Sequence, residues 1–186
     1  MLIEQASIPG CYQIFPQVRR DNRGSFVKTF HQEVFEKNSL RTDFAEEYYS
    51  LSHKGVLRGL HFQTPPHEHV KLISCLSGKV LDAIVDLRVG SPTYRKFLTF
   101  EMSAEQGNMI YLAPGIAHGF YALTDNVIMH YKVTTVYAQE HDAGIKWNST
   151  DIPWPDSAPT LSKRDLDFPS LAAFQSPFEF ENGKAV

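Results

Sequence analysis

The chain has 186 residues, 42% of them hydrophobic and 12% aromatic, with a formal charge of −3 at pH 7. That length suits one domain, and that much apolar material builds a packed core, which excludes a disordered chain. Acids and bases are interspersed, so no global field draws the protein to nucleic acid or to an anionic membrane; an anionic ligand must be met by a local cluster of Arg and Lys.

In chain order, no signal peptide is expected at the start, and no apolar run approaches the ~20 residues of a membrane span. CYQIFPQV (11–18) and SFVKTF (25–30) read as short strands split by the turn RRDNRG (19–24). HQEVFEKN (31–38) spaces its apolar residues for one short helix. Strand patterns follow at YYSLS (48–52), VLRGLHFQ (56–63), VKLISCLSG (70–78), KVLDAIVDLR (79–88), KFLTFEMS (96–103), GNMIYLAP (107–114), AHGFYALT (117–124) and VIMHYKVTT (127–135). Turn signals such as SGK, VGSP, APG and LTD separate them. Eight short strands at roughly ten-residue spacing indicate an antiparallel sandwich or barrel.

Within KVLDAIVDLR, Val80, Asp82, Ile84 and Asp86 fall on one face and Leu81, Ala83, Val85 and Leu87 on the other. One face is therefore expected to be core and the other wetter. From 145 the chain turns rich in Pro, Ser and Asp and reads as an ordered, irregular tail pinned by Trp147 and Trp154. The expected fold is all-β, a single-domain jelly roll with a core at about 44–140, an N-terminal extension (1–43) and a C-terminal tail (145–186). Short helices belong to the extensions. Cys11 and Cys75 fit neither a zinc knuckle nor a disulfide framework and are expected to be buried thiols of a cytoplasmic protein. There is no GxGxxG, no P-loop and no HExxH.

The segment VLRGLHFQ carries two titratable groups, Arg58 and His61. On a regular strand Leu57, Gly59, His61 and Gln63 share one face, and Arg58, Leu60 and Phe62 the other. A bulge at Gly59 would bring Arg58 and His61 together. His67, His69 and His118 offer a metal reading, since three histidines can hold a divalent ion. Lys71 stands where a carboxylate partner would be needed, and its charge opposes a cation. In MHYKVTTVY (129–137), Met129, Tyr131 and Val133 share a face, so Tyr131 is either a core-edge aromatic or a general acid.

RGLHFQ (58–63), VKL (70–72), VDLR-x-GSPTY (85–94), SAE (103–105), P-x-x-AHGF (114–120), YK-x-T (131–134), WNS (147–149) and LSKRD (161–165) together resemble the dTDP-4-dehydrorhamnose 3,5-epimerase family, from about residue 8 to 168. The resemblance implies a cupin-type jelly roll, a homodimer whose N-terminal strands cross over, no metal or organic cofactor, and a role in deoxysugar biosynthesis for a surface polysaccharide or natural product. It implies His61 as general base, Asp165 as the carboxylate that orients it, Lys71 near the sugar's C4 oxygen and Tyr131 as the acid on the opposite face. Arg58 and Arg23 match arginines near the diphosphate, His118 a histidine lining the pocket, Tyr137 a base-stacking aromatic, and Gln63 a further substrate contact.

The chemistry needs these types. A C–H beside a ketone is acidic because its anion is an enolate, and an imidazole with a pKa near the working pH can remove the proton. The enolate oxygen needs a preorganised cationic donor, whose loss typically costs ~3 kcal/mol. A diphosphate favours the forked donors of arginine over lysine. The family's thymidine enzymes usually have an aromatic residue at the position of Arg19, glutamate at that of Lys28, and glutamine and asparagine at those of Glu46 and Tyr48. A different nucleotide, CDP or GDP, is therefore one expectation; pairing of Lys28 with Glu46 is the alternative. Inversion at C3 alone or at C3 and C5 stays open, with bulk beside Tyr131 such as Met129 as one determinant. A metal-dependent cupin enzyme and a non-catalytic sugar-binding jelly roll are the competing readings.

Overall fold

The computed structural model describes residues 1–181. The strands are β1 (Leu2–Gln5), β2 (Cys11–Phe15), β3 (Val18–Asp21), β4 (Gly24–Val27), β5 (Glu46–Ser52), β6 (Leu57–Gln63), β7 (Lys71–Ser77), β8 (Lys79–Asp86), β9 (Phe97–Ser103), β10 (Met109–Leu112), β11 (Ile116–Ala122), β12 (Val127–Val133) and β13 (Asp142–Gly144). Two short helices are α1 (Gln32–Lys37) and α2 (Lys163–Asp167). The predicted strands from residue 48 onward and the helix are present within about two residues, but near the N-terminus CYQIFPQV stops as a strand at Phe15, SFVKTF stops at Val27, and the expected turn RRDNRG gives Arg19, Arg20 and Asp21 to β3. No helix among the described residues is long and apolar enough to cross a membrane.

Two antiparallel sheets face each other. One runs β1-β2-β10-β7-β12-β5 and the other β13-β6-β11-β8-β9; β3 and β4 form a separate hairpin. From β5 to β13 the chain alternates between the two sheets, apart from the β8–β9 hairpin, which is the jelly-roll pattern expected. Of the N-terminal segment, β1 and β2 join this chain's own sheet through β10, and only the β3–β4 hairpin stands clear of both sheets.

Between the sheets lie Ile73, Cys75, Val80, Ile84, Phe100, Met102, Ile110, Phe120 and Met129. Burying each such aliphatic or aromatic side chain stabilises the fold by about 1.5–3 kcal/mol. The outer faces are covered too. Helix α1 brings Phe35 over Leu72, Met109 and Tyr111 of the first sheet. The tail lays Ile145, Ile152 and Phe178 over Ala83, Val85 and Ala117 of the second, and Trp147 over Leu57 and Tyr121.

This double cover corrects the expectation for β8. Neither of its faces is wet: Asp82 and Asp86 are as inaccessible as Ala83 and Val85. The two carboxyls survive burial because they are partnered. Arg88 donates to Asp86 through Nε (2.8 Å) and Nη2 (2.9 Å), with Ser91 Oγ at 2.6 Å and Thr93 Oγ1 at 2.7 Å. The VDLR-x-GSPTY run is thus a self-closing loop around one aspartate. Cys11 and Cys75 are buried free thiols, as expected.

Candidate active site

At one end of the sandwich the two sheets part around a cavity of about 320 Å³. Strand β6 supplies its base. Arg58 pairs with Phe120 and His61 with His118 on β11, so three residues of β6 advance where two of β11 do. The extra residue is a bulge, and it turns Arg58 and His61 to the same face, where both line the cavity. Glycine is required here. Gly59 has φ +143°, and a Cβ on it would lie 2.5 Å from the Cα of Gly119.

Asp165 reaches His61 from 104 positions away: its Oδ1 is 2.9 Å from His61 Nε2. The tail is fixed beside β6 by a parallel bridge of Val56 with Thr160 and by Leu57 N–H donating to Thr160 O. Ser162 caps α2 by accepting from Asp165 N–H (3.1 Å). The second oxygen of Asp165 accepts Gly59 N–H (3.2 Å). With 2% of its side chain exposed and both oxygens satisfied, Asp165 is a rigid acceptor for the ring. It keeps its carboxyl below the usual range despite the opposing effect of burial, because His61, Gly59 and Ser162 all bond to it. His61 is itself held below its ordinary value, mainly by burial, with Arg164 and Lys71 adding to the fall and Asp165 opposing it. Nε2 is engaged by Asp165, which leaves Nδ1 as the nitrogen able to take a proton from a ligand.

Lys71, on β7, donates from Nζ to the backbone oxygen of His61 (3.1 Å). Burial pushes its ammonium down to about 8, against the pull of Asp142. Tyr131, on β12, stands on the wall formed by the other sheet. Its ring is stacked on Tyr48 (centroids 4.9 Å, 18°) and meets His118 edge-on at 5.9 Å. Burial holds its phenol well above the ordinary value, so it is a proton donor rather than a phenolate. An imidazole, an ammonium and a phenol therefore line one cavity from different elements. Met129 shares the Tyr131 face but is packed in the intersheet core; the side chain beside the phenol is Tyr48.

The mouth holds Glu46, Tyr137, Asp142 and Arg164. Glu46 Oε2 accepts Tyr137 N–H (2.8 Å), and Tyr137 Oη donates to Asp142 Oδ2 (3.3 Å). Arg164 is ion-paired with Asp142 and has Nη2 3.1 Å from His61 Nε2. Gln63 lines the cavity, but its amide nitrogen donates to His67 O (2.8 Å) and its oxygen accepts Ala138 N–H (2.7 Å), which ties the rim together. His118 pairs through Nε2 with Asp82 Oδ2 at 2.7 Å.

Three expected contacts lie elsewhere in this chain. Arg19 and Arg23 are on the β3–β4 hairpin, with Arg23 85% exposed and bonded to Asp21, and Lys28 lines a groove with Arg19 and Phe26. Lys28 and Glu46 line different cavities, so the expected pairing between them is not formed. The metal reading also fails on geometry. His67 is packed on His141 (4.5 Å) and His118 is bonded to Asp82; among the described residues no three His, Cys, Asp or Glu side chains converge to hold an ion. Sequence reasoning missed Asp82, Asp142 and Arg164. Arg164 was in view in LSKRD, but nothing in its spacing reveals a neighbour 103 residues away.

The family profile of dTDP-4-dehydrorhamnose 3,5-epimerase matches residues 5–173. A dTDP-4-dehydrorhamnose 3,5-epimerase of Shigella flexneri is 38% identical over 170 residues, covering 90% of this chain and 94% of that protein. The crystal structure of a dTDP-6-deoxy-D-glucose-3,5-epimerase from Legionella pneumophila, in complex with dTDP-4-keto-L-rhamnose, superposes with a TM-score of 0.91 at 32% identity, covering 97% of this chain and 99% of that one. A 3′-monoepimerase from Streptomyces bikiniensis, in complex with dTDP-quinovose, superposes with a TM-score of 0.85 at 33% identity over 90% of this chain and 86% of that one.

Proposed function

The chain belongs to the dTDP-4-dehydrorhamnose 3,5-epimerase family, and from that premise we propose that its cavity inverts carbon centres beside the ketone of a dTDP-linked 4-keto-6-deoxy sugar, with His61 as base, Lys71 as enolate partner and Tyr131 as acid. The protein is an isomerase, a dTDP-sugar epimerase of the cupin fold. The observation that carries the residue roles is the His61–Asp165 pair at 2.9 Å inside the cavity that Lys71 and Tyr131 also line. His61 Nδ1 takes the hydrogen from the carbon next to the carbonyl, and Asp165 supports the imidazolium that forms. The electrons move onto the C4 oxygen, where the Lys71 ammonium stabilises the enolate. Tyr131 returns a proton to the same carbon from the other face, which inverts it. Arg58 and Arg164 are the guanidinium groups lining the cavity and suited to the diphosphate.

The assembly we propose is a homodimer in which the β3–β4 hairpin lies on the partner and carries Arg23 to its pocket. Phe26 on the hairpin is 63% exposed, and on the edge strand β5 Tyr49 is 70% exposed. Such apolar surface favours a covered state. The two buried thiols support a cytoplasmic, reducing setting. Arg19, Lys28 and Glu46 keep a CDP- or GDP-linked substrate as the second reading; calorimetry that gives dTDP clear preference over CDP and GDP removes it.

The test is deuterium wash-in. The unmodified protein in deuterated water should label C3 and C5 of dTDP-4-keto-6-deoxyglucose. His61→Ala should abolish labelling at both carbons while dTDP still binds. Retained exchange in that variant takes His61 out of the base role.

A further inference from the structure

Asp82 is a buried acid that the steps above do not use. It stands on β8 opposite Phe120 of β11 and Phe100 of β9, behind the cavity-lining His118 to which it is bonded, with 0% of its surface exposed. Its Oδ2 lies 2.7 Å from His118 Nε2, and its Oδ1 has no hydrogen-bond partner. His118 lines the cavity, and its Nδ1 makes no bond to the described residues.

An ionised carboxylate with one bare oxygen in a dry interior is costly; a protonated one needs only its O–H placed and leaves a carbonyl oxygen bare, at far smaller penalty. The groups facing it are Lys71 from β7, His118 from β11, Tyr131 from β12, and the thiols Cys11 and Cys75 behind. Lys71 and His118 favour the anion, but burial outweighs them and holds the Asp82 carboxyl above the usual range.

We propose that Asp82 is a positioning residue: it stays protonated, donates its hydrogen to His118 Nε2, and so fixes His118 as the tautomer whose Nδ1–H is offered to the sugar's carbonyl oxygen. The enolate oxygen then has two donors, the Lys71 ammonium and a neutral imidazole N–H. No proton leaves the Asp82–His118 pair during the reaction. The pair adds no net charge, so it does not compete with the conversion of His61 to imidazolium. The inference rests on the epimerase reading.

Two measurements test it. Infrared spectroscopy of the free protein at neutral pH should contain the C=O stretch of a protonated carboxylic acid, absent in Asp82→Asn. In turnover of dTDP-4-keto-6-deoxyglucose, Asp82→Asn still donates to Nε2 through its amide and should fall only about threefold in kcat, whereas Asp82→Leu should fall about 10²-fold in kcat with KM little changed. A missing acid band overturns the proposal without any assay. So does a kcat for Asp82→Asn as low as that of Asp82→Leu, or an Asp82→Leu as active as the parent. If the unmodified protein turns over no substrate, the epimerase reading falls and takes this inference with it; turnover with the wrong variant pattern removes only the inference.

Discussion

On the proposed mechanism, Lys71 sets the alkaline edge of the chemistry and His61 the acid edge. The ammonium is pushed down to about 8 by burial, so above that pH the enolate loses its cation. The kcat/KM profile should therefore fall on the alkaline side near pH 8, and Lys71→Met should remove that limb and lower kcat by about 10²-fold. On the acid side the base must be neutral. Because His61 is held below its ordinary value, its neutral form persists to lower pH, and the acid limb should lie below about 6.5. An acid limb at or above that value in a pH-rate series would remove His61 as the group responsible. The roles proposed for His61, Lys71 and Tyr131 come from the family motifs that carry them, and the structure places all three on one cavity. Asp82 was not legible in the sequence: it read as the polar side of an alternating strand, and only the cover on both faces of β8 makes it a buried acid.

At the scale of elements, the bulge in β6 builds the site. A regular strand would place Arg58 and His61 on opposite faces, one toward the cavity and one into the layer under the tail. Gly59→Ala puts a methyl 2.5 Å from the Gly119 backbone at a φ of +143°. The variant should be destabilised by about 2 kcal/mol or more, read as a lower urea midpoint, and should lose activity beyond its loss of folded protein. An unchanged midpoint with full activity would mean that the bulge is not needed. Glycine in a strand signalled a bulge in the sequence; which of the two readings of the strand held required its partner, β11. Helix α2 teaches the converse. It is only five residues long and gains its place from the bridge at Val56 and Thr160 and the Ser162 cap, not from propensity.

For the whole molecule, the hairpin carrying Arg19 and Arg23 joins neither sheet and meets its own chain at the turn before β10, where Arg20 donates to Glu105 O (2.6 Å). If it serves a partner's pocket, an Arg23→Gln chain and a His61→Ala chain repair each other: in a mixed dimer one pocket has both native side chains. Mixing the two poorly active variants after mild unfolding and refolding should recover about a quarter of the parent activity, because half of the dimers are mixed and each has one intact pocket. No recovery, with sedimentation confirming dimers, would confine Arg23 to its own chain.

The sequence by itself determined most of the strands, the all-β class and the jelly-roll architecture, because alternation and turn residues are local constraints on residue identity, while the proposed catalytic side chains rest on the family resemblance of their motifs. Tertiary structure decided which of those residues meet. Asp165 against His61, Asp82 against His118 and Arg164 against Asp142 are contacts made across 104, 36 and 22 positions. Such contacts follow from how two sheets and a tail close on each other, and a periodicity along one strand cannot encode them.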